Sequence, residues 1–439
     1  MCKITKENDS LQRQTENKDE NSQKIVCNEN VPELRFPEFE EEWKEHEFGT
    51  LFTIKNGLNK GKEYFNHGTP ILNYIDVNKR IFNSKNTIEG TVEVSAEEIK
   101  RYCVKNNDLF LTRTSETSDE IGLTSSYNGD SNNTVFSGFI LRARPKKQDI
   151  NSLFYAYYLR TNKMRFNIIK YSSITTRALI NSKNLSKMRV KLPDYNEQKK
   201  ISTFLSAIDK KIGFMEKKHT LYKNIKKYFL DNLFPHEKRD IPDLSFKEYS
   251  NIWKQIKLKQ IIYKAKAGGT PKSSIKEYYN GNIPFLSIND MTNEGKYITY
   301  TEKSITEKGL KNSSAWLVPE KSLLYSMYAS VGFVSINNIP LTTSQAIFNI
   351  IFKEQVSLEF MYYYLTFYKR YIHKYIETGT QGNLNAKLIK NFKIKIPSKE
   401  EQRKIADFLS LIDTYIEINK EKVIQVKQFK KGLLQKMFC

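Results

Sequence analysis

The sequence predicts an α+β protein written twice: two tandem globular domains alternating with two long helices, related by an internal pseudo-two-fold repeat. Three observations lead there. A helix-opening segment recurs almost unchanged in both halves of the chain. Short β-rich runs mixed with amphipathic helical segments precede each copy. Each copy then carries apolar residues at steps of three and four for about 40 residues, the spacing of one helix face.

The repeat is the strongest signal. Leu192-Pro193-Asp194-Tyr195-Asn196-Glu197-Gln198-Lys199-Lys200-Ile201 lies over Ile396-Pro397-Ser398-Lys399-Glu400-Glu401-Gln402-Arg403-Lys404-Ile405. At the same offset, Phe204-Leu205-Ser206-Ala207-Ile208-Asp209 matches Phe408-Leu409-Ser410-Leu411-Ile412-Asp413. Upstream the register drifts by a few residues, as loops of different length require. There Trp43 matches Trp253, Asp108-Leu109-Phe110-Leu111-Thr112 matches Ser322-Leu323-Leu324-Tyr325-Ser326, and Phe154 to Leu159 matches Phe360 to Leu365. A period near half the chain exceeds any solenoid repeat, so this is a tandem duplication. A shared framework with divergent interiors predicts two related but different targets.

Taken in order, residues 1–33 are polar and mixed in charge, and read as a disordered leader without the apolar stretch of a signal peptide. Residues 34–193 form the first globular domain. Thr134 to Ala143 is β-rich, and Tyr155 to Leu159 reads as a packed helix whose tyrosines belong to the core. Residues 194–235 form the first long helix, with Pro193 ahead of an Asp194/Glu197 capping box. Ile201, Phe204, Leu205, Ile208 and Ile212 open its apolar stripe. Residues 236–397 form the second domain, β-rich at Val331 to Ile336 and Ile347 to Phe352, helical at Met361 to Leu365. Residues 398–439 form the second helix, capped by Ser398 with Glu401. Ile405, Phe408, Leu409, Ile412 and Ile416 open its stripe.

Roughly 40 residues at about 1.5 Å each give a rod of about 60 Å. Two such stripes in one chain are expected to bury each other as an intramolecular coiled coil. Packing of each helix on its own domain is expected for the first two turns only. The stripe alone permits parallel or antiparallel pairing.

Composition sets the class of partner. The 439 residues hold 71 Lys+Arg against 49 Asp+Glu, a net charge of +22. Such a field draws polyanions, and nucleic acid is the leading one. Mean hydropathy is −0.59, and no apolar run approaches the roughly 18 residues of a membrane span. A transmembrane protein is therefore excluded, and a place inside the cell is expected. None of Cys2, Cys27, Cys103 and Cys439 sits at CxxC spacing, so neither a zinc knuckle nor a disulfide framework is suggested.

Three pairs of loops carry residue types that suit DNA. The first pair holds Lys55, Asn56, Lys60 and Lys62 in one half, and Lys264, Lys266, Thr270 and Lys272 in the other, each around glycines that allow close backbone approach. The second holds Arg113, Ser115 and Ser118, and Ser326, Tyr328 and Ser330. The third holds Thr176 and Arg177, and Thr380 and Gln381. Lysines with Ser/Thr donors hold phosphates; Arg, Asn, Gln and Ser/Thr read base edges in the major groove. An ordinary turn explains many such residues equally well.

Catalytic motifs are missing. No Pro-Pro occurs, so the Asn/Asp-Pro-Pro-aromatic segment of an adenine methyltransferase is absent. Neither first-pair loop is a Walker motif. His46, His67, His219, His236 and His373 are scattered, without HExxH or HxH spacing. Asp194 with Glu197 and Lys199 superficially resembles a PD…ExK nuclease site, but the spacing is too short. No catalytic residue and no metal ligand is expected.

Two Trp-led divergent domains thus alternate with two near-identical helices that open P-x₃-E-Q-x₂-I-x₂-F-L-x₂-I-D. The chain closes on Gly432-Leu433-Leu434-Gln435-Lys436-Met437-Phe438. This arrangement resembles the specificity (S) subunit of bacterial type I restriction-modification systems, over about residues 34–439. Val31-Pro32-Glu33-Leu34-Arg35-Phe36-Pro37 also resembles the start of staphylococcal-type members.

The resemblance implies that each globular domain is a target recognition domain for double-stranded DNA. It implies that the helices pair antiparallel and set the domains apart. Two modification (methyltransferase) subunits would bind this scaffold and supply S-adenosylmethionine and adenine-N6 chemistry. Restriction (translocase/nuclease) subunits would add ATP- and Mg-dependent work. The chain itself would hold no cofactor and catalyse nothing, in the bacterial cytoplasm. The alternatives from the residues alone are an RNA-binding scaffold, suited by two basic aromatic-rich domains, and an enzyme with an unrecognised site.

Overall fold

The computed structural model describes residues 30–129, 133–249, 251–375 and 384–439. Most of the leader expected over residues 1–33 lies outside them. The chain divides into two compact units, residues 1–211 with 426–439, and residues 212–425. Each unit therefore takes one globular domain, the start of the long helix that follows it, and the end of the other long helix.

In the first unit a five-stranded sheet runs from edge to edge through Phe52–Asn56, Ile140–Pro145, Leu109–Thr112, Thr124–Tyr127 and Phe82–Asn83. In the second the order is Ile262–Ala267, Ile347–Phe352, Leu323–Ser326, Val334–Asn337 and Tyr297–Ile298. In both, only the last pairing is parallel. The central strands Leu109–Thr112 and Leu323–Ser326 are buried throughout, as a continuous apolar run of strand length should be. A three-stranded sheet lies beside each: Thr91–Val92, Phe65–Leu72 and Val135–Phe136, and in the second unit Lys303–Ile305, Tyr279–Leu286 and Thr342–Thr343. The mixed helix and sheet content matches the α+β expectation, and the duplication reaches the order of strands.

The tyrosine-rich segments are helices, Ser152–Tyr158 and Leu358–Tyr368. Asn151 and Ser357 cap them by accepting the Phe154 and Phe360 amides at 3.0 and 3.2 Å. Tyr155, Tyr157 and Tyr158, with Tyr363 and Tyr364, are buried. Burial, helped by a nearby aspartate, holds the Tyr157 and Tyr363 phenols far above their ordinary range.

The long helices span Tyr195–Asn232 and Lys399–Lys436, 38 residues each. Their pairing is visible within the second unit. Asn419 donates to the Met215 carbonyl at 2.8 Å, Tyr222 stacks on Tyr415 at 5.9 Å, and Phe229 meets Phe408 edge-on at 4.7 Å. The first helix advances as the second recedes, so the pair is antiparallel. Within that unit, Ile405, Leu409, Ile412 and Ile416 share one core with Trp253, Phe360 and Ile394. Own-domain packing thus runs further along the helix than the two turns expected, because Tyr222, Ile225 and Phe229 of the paired helix close the same core. In the first unit Ile201, Leu205 and Ile208 are buried, whereas Phe204 lies exposed, edge-on to Phe36 at 5.7 Å; Ile212, the first residue of the second unit, is buried too. Phe408 is half-buried because Phe246 covers it at 5.9 Å.

Phe36 and Phe246 reveal a further repeat. Leu34 donates its amide to the Lys436 carbonyl at 2.8 Å, and Leu244 donates to Asn232 at 2.9 Å. Val31-Pro32-Glu33-Leu34-Arg35-Phe36 and Ile241-Pro242-Asp243-Leu244-Ser245-Phe246 therefore do the same work, each fastening a domain entry to the end of a long helix. The capping acids differ from expectation. Asp194 accepts the Asn196 amide at 2.7 Å, but Glu197 turns to the Trp43 indole at 3.2 Å and to Arg35 at 2.8 Å. Likewise Ser398 accepts the Glu401 amide, while the Glu401 carboxylate accepts from Trp253 at 3.2 Å.

Candidate nucleic-acid interface

The first-pair residues split between strand and loop. Lys55 and Asn56 end the edge strand Phe52–Asn56, and Lys264 and Lys266 lie within the edge strand Ile262–Ala267. Lys55, Asn56, Lys264 and Lys266 are exposed, whereas Ile54 and Ala265 are half-buried. Lysines on an edge strand also block pairing with another chain, so Lys55, Lys264 and Lys266 serve the fold whatever they bind. Lys264 lies 4.8 Å over the Trp316 ring, and Lys266 donates to the Ser314 carbonyl at 3.3 Å. Lys60 pairs with Glu98 at 2.9 Å and covers Tyr64 at 4.6 Å. Lys62 and Lys272 are exposed.

The glycines approach the chain's own backbone. A Cβ on Gly57 would stand 2.2 Å from the Ser137 carbonyl oxygen, and one on Gly268 would stand 2.2 Å from that of Thr343. Leu58 donates to Phe136 and accepts from Gly138, at 2.9 and 2.7 Å; Gly268 and Gly269 donate to Ile347 and Thr343, both at 2.9 Å. The turns 137–139 and 344–346 are thus the supports against which the first loops are laid.

The second loops meet the same turns from the other side. Arg113 donates its amide to the Phe139 carbonyl at 2.9 Å and its guanidinium to that of Gly138 at 3.2 Å. Met327 donates to Ala346 at 2.8 Å. Two of the predicted serines are internal struts. Ser115 is buried beneath Tyr74, at 3.3 Å from its hydroxyl. Ser326 is buried and donates toward the Tyr328 and Ala329 carbonyls at 2.7 Å. It steadies a loop in which Ala329 and Ser330 hold positive φ of 34° and 45°. Tyr328 and Ser330 are exposed there, and Ser118 is half-buried at the start of a short turn.

The third loop of the first unit is a hairpin, Ser173–Ile174 with Ala178–Leu179, laid on Thr114–Ser115. Thr176 and Arg177 form its exposed tip, with Arg177 3.9 Å from Glu116. Thr380 and Gln381 lie outside the described residues. The first and second loops of the first unit are thus laid on the turn 137–139, and the third is laid on the second. An open cup of about 550 Å³ forms there between Tyr74, Thr114, Glu116, Glu120, Phe139 and Arg177. Phe139 and Gln345 were missed in the sequence. Phe139 sits between the apolar runs Val135–Phe136 and Ile140–Leu141, and only the fold shows that its side chain leaves the core.

Among the described residues, no cluster of His, Cys, Asp and Glu is placed to hold a metal ion. No described helix is long and apolar enough to cross a membrane.

Known proteins carry the same pattern. A family model described as the type I restriction modification DNA specificity domain matches residues 40–221 and again 251–428. The putative type I restriction enzyme MjaX specificity subunit of Methanocaldococcus jannaschii is 28% identical over 424 residues, 92% of this chain and 95% of that one. The MjaIX specificity subunit of the same organism is 39% identical over 175 residues, 39% of this chain but only 40% of its relative. The solved S subunit of a type I restriction-modification system from M. genitalium shares the fold, with a TM-score of 0.57 at 15% identity, covering 93% of this chain and 99% of that one. With the family model matched twice, over most of the length, the chain belongs to the type I restriction-modification DNA specificity family.

Proposed function

We propose that the chain is the non-catalytic specificity subunit of a type I restriction-modification enzyme and reads an asymmetric, bipartite sequence in double-stranded DNA. One globular domain, residues 34–193, reads one half-site; the other, residues 236–397, reads the second. The observation that carries this reading is a duplicated loop hub with unlike contents. In both units a glycine loop and a second loop are laid on one turn, yet the exposed side chains differ between them. Lysines at the rim, with the net charge of +22, hold phosphates and set register, while the loops specify bases.

The helices 194–235 and 398–439 join the two readers and scaffold two modification subunits, which supply S-adenosylmethionine and methylate adenine-N6, and ATP- and Mg-dependent restriction subunits, in the cytoplasm. The long helices leave Leu221, Tyr228, Leu411 and Ile424 exposed, apolar surface suited to such partners.

Competition binding tests the reading. The full chain with its modification subunits should prefer one split duplex sequence over random duplex by about 10³-fold or more at physiological salt, and weaken steeply as salt rises. A preference for single-stranded RNA over any duplex would overturn it.

A further inference from the structure

Resting on that reading, we propose that the supporting turn itself carries specificity, through Phe139 in the first unit and Gln345 in the second. The two turns share one backbone plan. Ser137 and Ser344 accept the Ile140 and Ile347 amides, both at 3.1 Å, and donate their own amides to Leu72 and Leu286, both at 3.0 Å. Arg113 and Met327 take the carbonyls of Phe139 and Ala346. Loop, turn and strand therefore hold this backbone by the same bonds at both ends of the turn in both units.

What the turn presents is not shared. In the first unit the third turn position is Phe139, 63% exposed at the rim of the cup. Its counterpart, Ala346, is small. At Gly138 the Asn59 side chain occupies the space a Cβ would need, its Oδ1 1.8 Å from that position. In the second unit Thr270 replaces Asn59, and the position of Gly138 becomes the exposed Gln345, hydrogen-bonded to Thr270. Loop and turn have thus changed together. A large ring kept in water on a rigid turn is unfavourable for the fold, and its rigidity removes the ordering cost of a contact. No core role explains it.

The chemistry assigns different readouts. Phe139 supplies an apolar contact of the kind that recognises the thymine methyl in the major groove. Gln345, already oriented by Thr270, supplies amide hydrogen bonds of the kind that recognise adenine.

The test is selection from a library of randomised duplexes by the full chain with its modification subunits, for wild type, Phe139→Ala and Gln345→Ala. Phe139→Ala should relax preference roughly ten- to hundred-fold at one or two adjacent base pairs of one half-site. The other half-site, unchanged, reports that the protein is folded. Gln345→Ala should do the converse. Variants that select the wild-type motif unaltered, or lose affinity equally for all sequences, would overturn the turn's role while leaving the DNA reading intact. A wild type that selects no motif would sink both.

Discussion

Trp43 donates its indole N–H to Glu197 across 3.2 Å, fastening the entry of the first domain to the opening turn of the helix that leaves it. Trp253 does the same with Glu401 at 3.2 Å. The two carboxylates differ in their other neighbour. Glu197 holds Arg35 through two bonds of 2.8 Å, whereas the second entry segment has Ser245 in the place of Arg35.

Opposite signs follow for one substitution. Glu197→Gln strips the half-buried Arg35 guanidinium of its buried counter-ion and should destabilise the first unit by about 1–3 kcal/mol. Burial raises the Glu401 carboxyl, so its charged form costs stability. As pH rises, the unfolded chain releases that proton first; stability is lost until the raised folded value is passed, and above it the whole cost is present. Glu401→Gln, which can still accept from Trp253, should be neutral or stabilising at pH 7. Chemical denaturation of both variants decides this, and equal losses would contradict it.

Lys296 is a second titrating group within the second unit. It donates to the Tyr363 hydroxyl at 2.8 Å and to Ser410 at 3.2 Å, faces the rings of Tyr297, Tyr362 and Tyr363, and lies 4.0 Å from Asp413, which pairs with Lys226. Burial lowers its pKa to about 8 despite Asp413 and Glu359. Between that value and the unfolded value of 10.5 the unfolded chain binds more protons, so stability rises with pH. Relative to Lys296→Met, the wild type should gain stability from about pH 8 to 10, by at most about 1.4 kcal/mol per pH unit. A difference that stays flat across this window would contradict the assignment.

Rim lysines should act without regard to sequence. Lys62→Gln or Lys272→Gln should weaken binding to every duplex and lower the salt dependence by about one counter-ion each. Isotherms at several salt concentrations measure the slope. A change in the selected motif instead would move these lysines to base contacts.

Each long helix runs unbroken from one unit into the other. Inserting one turn, about 6 Å, at the same level in both should widen the spacer between half-sites by about two base pairs at roughly 3.4 Å each. An unchanged spacer would show that the helices do not measure it.

The framework was legible because its signals are local. Proline ahead of Asp194 and Ser398, and apolar steps from Ile201 and Ile405, state both helices outright. The order of strands was not, since Leu109 and Leu323 name a strand but not its neighbours. Glu197 read as half of a capping box because the helix start is local, while Trp43 and Arg35 lie some 150 residues upstream. The loops around Arg113 and Arg177 announced themselves by composition, but Ser115 and Ser326 turned inward to brace backbone. Phe139 carried no signal at all: an exposed phenylalanine between apolar strands looks like core until the turn is placed.

Methylome sequencing of the source strain, with this gene intact and deleted, tests the central claim most directly. The account predicts one split motif, bearing methyladenine on both strands, that vanishes on deletion. An unchanged methylome, with the modification subunit expressed, would contradict it.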